Sequence, residues 1–185
     1  HLHEFGVVVP QGVTKIIALL PSLLDDSNLP ALLKSLLRDL LDDIHHINQR
    51  VDALDKQINA FVKTNDTANR LMTISGIGPI TASALVATTG DPHLFKNSRQ
   101  FTAWLGLVPK QFSSGGKTRL GGITKSGDGY LRKLLIQGAR AVLFRSGTHT
   151  DQRSLWINQL RSRKPDNVVA TALAAKLART AWAIM

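Results

Sequence analysis

Between Leu33 and Phe61 the apolar positions fall at Leu33, Leu37, Leu40, Ile44, Ile47, Val51, Leu54, Ile58 and Phe61, in steps that alternate between four and three residues. The spacing predicts one long helix with an a/d seam of about four heptads. Asp42, Asp43, Arg50, Asp52, Asp55 and Lys56 lie off the seam. Pro30 suits a first helical turn, with Ser27 or Asn28 as caps. Leu29, Leu32, Leu36 and Leu41 widen the stripe beyond a strict two-stranded seam, which equally suits a helix inside an ordinary bundle. A shorter helix over Thr14–Leu24, interrupted or restarted at Pro21, would supply one neighbour, and self-association of the long helix another.

Beyond residue 70 the pattern breaks into shorter three-or-four-residue periods divided by Gly and Pro. These predict helices over Ile80–Thr89, Ser98–Leu105, Gly129–Arg145, Gln152–Arg163 and Asn167–Ile184. Residues 109–127 hold five glycines and four basic residues without a helical period, and read as a loop with room for a short hairpin. The fold class is therefore all-α: a long coiled-coil-like helix, then a compact helical domain with a helix-hairpin-helix-like element and a Gly/basic loop. The expected division is a helical dimerisation region over 1–70 and a nucleic-acid-binding domain over 71–185.

Charge sharpens that division. The chain of 185 residues carries 23 Lys+Arg against 13 Asp+Glu, a formal net charge of +10. Residues 1–70 hold 7 basic and 9 acidic residues, net −2, leaving 16 basic and 4 acidic for 71–185, net +12. A domain so one-sided in sign is suited to a polyanion. The absence of cysteine removes disulfides, thiolate zinc sites and cysteine nucleophiles, and fits a reducing cytoplasm. No run of eighteen apolar residues is present to span a bilayer, so no membrane partner is expected. The N-terminus, beginning His1-Leu2-His3-Glu4, is neither a signal peptide nor an initiating Met, and the chain reads as a piece of a longer protein.

Two segments could carry chemistry. In Leu71-Met-Thr-Ile-Ser-Gly76-Ile-Gly78-Pro-Ile-Thr-Ala82, the glycines Gly76 and Gly78 allow a tight turn. Ile77 would be buried between helices, and the following helix N-terminus would aim free N–H groups at a phosphate. The same pattern also serves as a plain helix connection, and the +12 surroundings favour the DNA backbone. In the 109–127 loop and the helix after it, Lys110, Lys117, Arg119, Lys125, Arg132, Lys133, Arg140 and Arg145 face one acid, Asp128. Ser113 and Ser114 sit at the loop's centre, where cations could stabilise the charge added when a hydroxyl attacks a phosphodiester. On residues alone this is equally a solvated Ser-Gly loop, since no partner base is evident.

The histidines show no metal spacing. His45 and His46 point about 100° apart on a helix, and His93 and His149 are isolated. No carboxylate set is visible for a two-metal nuclease. Trp104, Trp156 and Trp182 fall on apolar helical faces and read as core.

Several motifs in one order carry a resemblance: Leu71-Met-Thr-Ile-Ser-Gly-Ile-Gly-Pro, Phe101-Thr-Ala-Trp-Leu-Gly-Leu-Val-Pro109, Ser114-Gly115, Gly122-Ile-Thr-Lys125-Ser-Gly127, Leu131-Arg132 and Ala174-Ala-Lys176-Leu-Ala-Arg179-Thr-Ala-Trp182. They resemble the C-terminal domain of the insertion-sequence transposases of the one-ten type, strongly over about residues 70–185. The long helix matches only in character. The resemblance implies a bacterial recombinase in which a RuvC-like domain, lying upstream of His1, holds a carboxylate set and divalent metal (Mg²⁺), so no cofactor is expected in these residues. It implies a serine nucleophile that joins covalently to DNA, matched by Ser114 ahead of Gly115, with Ser113 as rival. Further implications are an element-encoded guide RNA, a homodimer or higher homo-oligomer, and a cytoplasmic, nucleoid-associated location. Without the RuvC-like domain these residues would not complete transposition. Two other readings stay open: a non-catalytic helix-hairpin-helix module with a dimerising helix, and a structural coiled-coil protein, which leaves the +12 domain unexplained.

Overall fold

The computed structural model describes residues 2–9, 11–25, 29–114 and 116–185, with Ser114 described by its backbone alone. The chain divides into two compact units, His1–Gln57 and Ile58–Met185. The all-α expectation holds: eight α-helices and one two-stranded sheet are present among the described residues.

In the first unit, a 3-10 turn (Leu2–Phe5) leads to α1 (Val13–Asp25) and then to the long α2 (Ala31–Thr64), whose last turns belong to the second unit. Leu20 and Leu23 of α1 bury with Leu29 and Leu37 in a small core. Pro21 does not interrupt α1 as expected. It stands on the exposed side, where the missing N–H costs one backbone bond without ending a helix whose other face is packed. The proposed caps Ser27 and Asn28 lie outside the described residues; the Pro30 carbonyl accepts from the Lys34 N–H at 3.1 Å. Along α2 the seam is buried only near its start, at Leu37. Leu40, Ile47, Val51 and Leu54 are all about half exposed.

The second unit contains α3 (Asp66–Leu71), α4 (Pro79–Thr89), α5 (Ser98–Trp104), β1 (Pro109–Ser114), β2 (Lys117–Ile123), α6 (Gly129–Arg145), α7 (Gln152–Arg161) and α8 (Asp166–Ile184). Each helix that sequence periodicity predicts is present, with ends shifted by no more than two residues. Side-chain caps set several starts: Asn65 accepts from Ala68 N–H, Asn97 from Arg99 and Gln100, Asp128 from Leu131, and Asp151 from Arg153 and Ser154. At the centre, α6 contributes Leu131, Leu135, Ala139 and Leu143, one every four residues. Facing it, α8 buries Val169, Ala170, Leu173, Ala174, Leu177, Ala178 and Ala181. The alanines let the two helices approach, and each buried Leu contributes roughly 1.5–3 kcal/mol. All three tryptophans are part-buried against this core, as expected. Trp104 packs with Phe95 and Phe101, ring centroids 5.3 and 5.6 Å away. The indole N–H of Trp182 donates to the Pro92 carbonyl at 3.1 Å.

Candidate nucleic-acid interface

The Gly/basic segment is a hairpin arm, not an irregular loop. Strands β1 and β2 pair antiparallel in the register Gln111↔Leu120, Phe112↔Arg119, Ser113↔Thr118 and Ser114↔Lys117, with an irregularity between Pro109 and Gln111. Ser114 and Lys117 are the last pair of this ladder before the tip of the arm. Gly115 lies outside the described residues; Gly116 has φ +78°. Strand alternation assigns Phe112, Lys117 and Arg119 to one face, and Gln111, Ser113, Thr118 and Leu120 to the other. On the second face Ser113 Oγ accepts from Gln111 Nε2 at 2.8 Å. The side chains of Lys110, Lys117 and Arg119 are exposed, as are the apolar Phe112 and Leu120.

Where the arm leaves the body, two stretches of backbone cross at contact distance. Gly106 (φ +68°) and Gly127 (φ +82°) lie at the crossing, and a Cβ on either would overlap a carbonyl oxygen, of Ser126 or Trp104 respectively. Lys125, beside them, is the one non-glycine residue at positive φ (+59°) among the described residues, and its N–H donates to the Gly106 carbonyl at 3.1 Å. Arg132 closes the crossing: Nη1 donates to the carbonyls of Leu105 at 3.0 Å, Ser126 at 3.3 Å and Asp128 at 3.5 Å. One face of this guanidinium is therefore spent on fixing the arm, whereas Lys133, one residue on, is exposed. A cavity of about 890 Å³ opens beside the root, with Leu107, Val108, Ile123 and Val168 among its apolar walls. Arg99, Lys125 and Arg179 are its charged residues, and no carboxylate lines it. Arg99 and Arg179 were not site candidates from sequence, where Arg179 entered only as part of a motif, since nothing in their local spacing joins two helices and the arm.

The helix-hairpin-helix-like element forms as the spacing predicts, with Ile77 buried between α3 and α4 and Gly78 capping α4 in extended backbone. Gly78 is exposed and open. Gly76 (φ +99°) is packed inward, with the Gly138 carbonyl oxygen and a Val142 methyl 3.0 Å from where its Cβ would stand. A Cβ on Gly138 would in turn overlap the Gly76 carbonyl, so a glycine in mid-helix lets α6 meet the turn. Gly138 was missed from sequence, although glycine inside a helix costs about 1 kcal/mol relative to alanine and so signals a packing reason.

Every acid in residues 71–185 is engaged locally. Asp91, Asp128 and Asp151 accept from backbone N–H groups of the turns they cap, and Asp166 pairs with Arg161 at 3.0 Å. Among the described residues no three His, Asp or Glu side chains converge on a metal position. No described helix is long and apolar enough to cross a membrane.

Comparison with known proteins relates this chain to insertion-sequence transposases. Residues 68–154, from α3 through the arm to the start of α7, match the transposase family described as IS116/IS110/IS902, and carry its domain. The family expected from the spaced motifs is the family found. The chain is 47% identical over 187 residues to a probable family 20 transposase of Pseudomonas aeruginosa, an alignment covering 100% of this chain and 55% of the relative. It is 40% identical over 183 residues to the transposase for insertion sequence element IS1328 of Yersinia enterocolitica (99% and 54%). To the transposase for insertion sequence element IS1111A of Coxiella burnetii it is 37% identical over 186 residues (100% and 51%). The similarity thus runs through the long helix as well, and the chain spans about half the length of the curated relatives it matches.

Proposed function

We propose that this chain is the DNA-engaging half of a transposase, and that its arm delivers Ser114 as the nucleophile of strand cleavage. The observation that carries the reading is the arm's register, which pairs Ser114 with Lys117, two residues from Arg119 along β2. Ser113 pairs with Thr118, and its hydroxyl is engaged by Gln111. A neutral hydroxyl attacks phosphorus only where the added negative charge is met, and Lys117 and Arg119 supply cations for it. In the step, a bond forms between the serine oxygen and phosphorus, the bond from phosphorus to one neighbouring sugar oxygen breaks, and overall the hydroxyl proton ends on that departing oxygen. Religation is the reverse attack by a new sugar hydroxyl.

Lys110, Lys117, Arg119, Lys125 and Lys133 bind the DNA backbone with little sequence preference, since they address phosphates and not base edges. Gly78 presents the α4 N-terminus to the same polyanion. Arg132 serves this function from beneath, by holding the root. The other half of the relatives' length would hold the carboxylates, Mg²⁺ and contacts to a guide RNA, so that these residues alone bind DNA without completing transposition, inside a bacterial cell and on its nucleoid. The exposed α2 seam pairs with a second copy.

The test is covalent capture. A full-length parent incubated with its element ends, Mg²⁺ and guide RNA should form a protein–DNA adduct that Ser114→Ala abolishes and Ser113→Ala retains, with DNA binding intact in both. Binding without any adduct would favour a non-catalytic module.

A further inference from the structure

Away from the arm, a cavity of about 430 Å³ lies where the Ser75-Gly76 turn meets the end of α6 and the start of α7. Its charged residues are Arg145, Arg153 and Asp151, and His149 adds an imidazole. The carboxylate is saturated: Oδ1 accepts from the Arg153 and Ser154 N–H groups at 3.0 and 3.3 Å, and Oδ2 accepts the Ser154 hydroxyl at 2.6 Å. That hydroxyl bond, the largest influence on the group, holds the carboxyl below its ordinary value. Asp151 therefore stays charged but has its hydrogen-bonding capacity turned toward its own helix.

The two guanidiniums are left in excess. Arg153 is aimed at the turn by a 3.4 Å bond from Nη1 to the Ser75 carbonyl, which uses one of its five N–H donors. Among the described residues, Arg145 has no side-chain hydrogen bond or ion pair. Gly76 adds bare backbone to the wall, because its inward packing leaves no room for a side chain. Two planar, permanently charged forks in one concave site, beside exposed backbone and a spent carboxylate, suit an oxyanion, and the net +12 of residues 71–185 favours the phosphate of a polyanion.

We propose that this cavity is a second phosphate site, separate from the arm, that grips one phosphodiester of bound nucleic acid through Arg145 and Arg153. The inference rests on the nucleic-acid reading above and extends it. It gives the helix-hairpin-helix-like element a role through cations brought to it by α6 and α7, and it fixes the polyanion at two points, at the arm and at the turn. Sequence spacing could not join them, since Arg153 lies 78 residues from the Ser75 carbonyl it contacts.

The experiment measures binding of the 185-residue chain to a fluorescent random-sequence duplex across a salt series, with a competition arm using inorganic phosphate. Arg145→Gln carries the test because no intramolecular bond is lost, and a thermal melt checks folding. Loss of one charge-assisted contact should weaken binding about tenfold and reduce the salt slope by about 1. Arg145→Lys should keep most of the slope. Combined with neutralised Lys117, Arg119 and Lys125, the effects should add, since the sites are separate. Unchanged affinity and slope in Arg145→Gln, beside a clear loss in the arm variant, would overturn the second site and leave the nucleic-acid reading standing. No salt-dependent binding by the unmodified chain would overturn both. Equal displacement of the duplex from wild type and Arg145→Gln by millimolar phosphate would likewise overturn the second site.

Discussion

Gly127 lies so close to Trp104 that any β-carbon at position 127 would overlap the tryptophan's carbonyl oxygen. With Gly106 against Ser126 in the same crossing, this contact makes the base of the arm a fixed joint. The arm's tip has no such constraint: Gly116, also at positive φ, would meet nothing with an added Cβ. Gly116→Ala should therefore cost only the backbone penalty, about 1–2 kcal/mol. Gly127→Ala should cost that plus the collision, giving a markedly larger loss in denaturant unfolding or no folded protein. Equal losses would mean that the crossing yields easily and the arm is not rigidly rooted.

Arg132 should report on the same joint. Its three carbonyl contacts all come from one nitrogen, Nη1, so Arg132→Ala loses them together. Amide exchange at Thr124 and Lys125, whose N–H groups bond across the crossing to Val108 and Gly106, should quicken about tenfold for each 1.4 kcal/mol lost. Protection unchanged from wild type would return Arg132 to the pool of free phosphate ligands.

Neutralising Lys117, Arg119 and Lys125 together should weaken duplex binding and lower the salt slope by about 0.9 per cation removed. A slope equal to wild type in an anisotropy titration would take the arm out of the interface.

Much of this was legible along the chain. The seam of α2, the five later helices and the burial of Ile77 follow from periodicity, because each depends on neighbours three or four positions away. The arm was only half legible: glycines and cations mask strand alternation, so a loop with room for a hairpin was as far as residues 109–127 went. The joints were not legible, since Gly138 against Gly76 and Arg132 against Leu105 join residues distant in sequence. The exposed seam of α2 is the opposite case, a pattern plain in sequence whose partner is not within the described fold.

That seam gives a further prediction. Leu40, Ile47, Val51 and Leu54 expose apolar surface that pairing with a second copy would remove from water. Light scattering should find a dimer or larger assembly, and Ile47→Asp with Leu54→Asp, at exposed positions that leave the small core untouched, should give folded monomer. An unmodified chain that is monomeric at tens of micromolar would contradict the pairing.

The central claim is that the arm's register selects Ser114 as the nucleophile. It is tested most directly by trapping the protein–DNA adduct of the full-length parent and mapping the modified residue by peptide mass spectrometry. A phosphodiester link on Ser114, absent from Ser114→Ala and retained in Ser113→Ala, is the predicted result. A link on Ser113, or an adduct that survives Ser114→Ala, would contradict it.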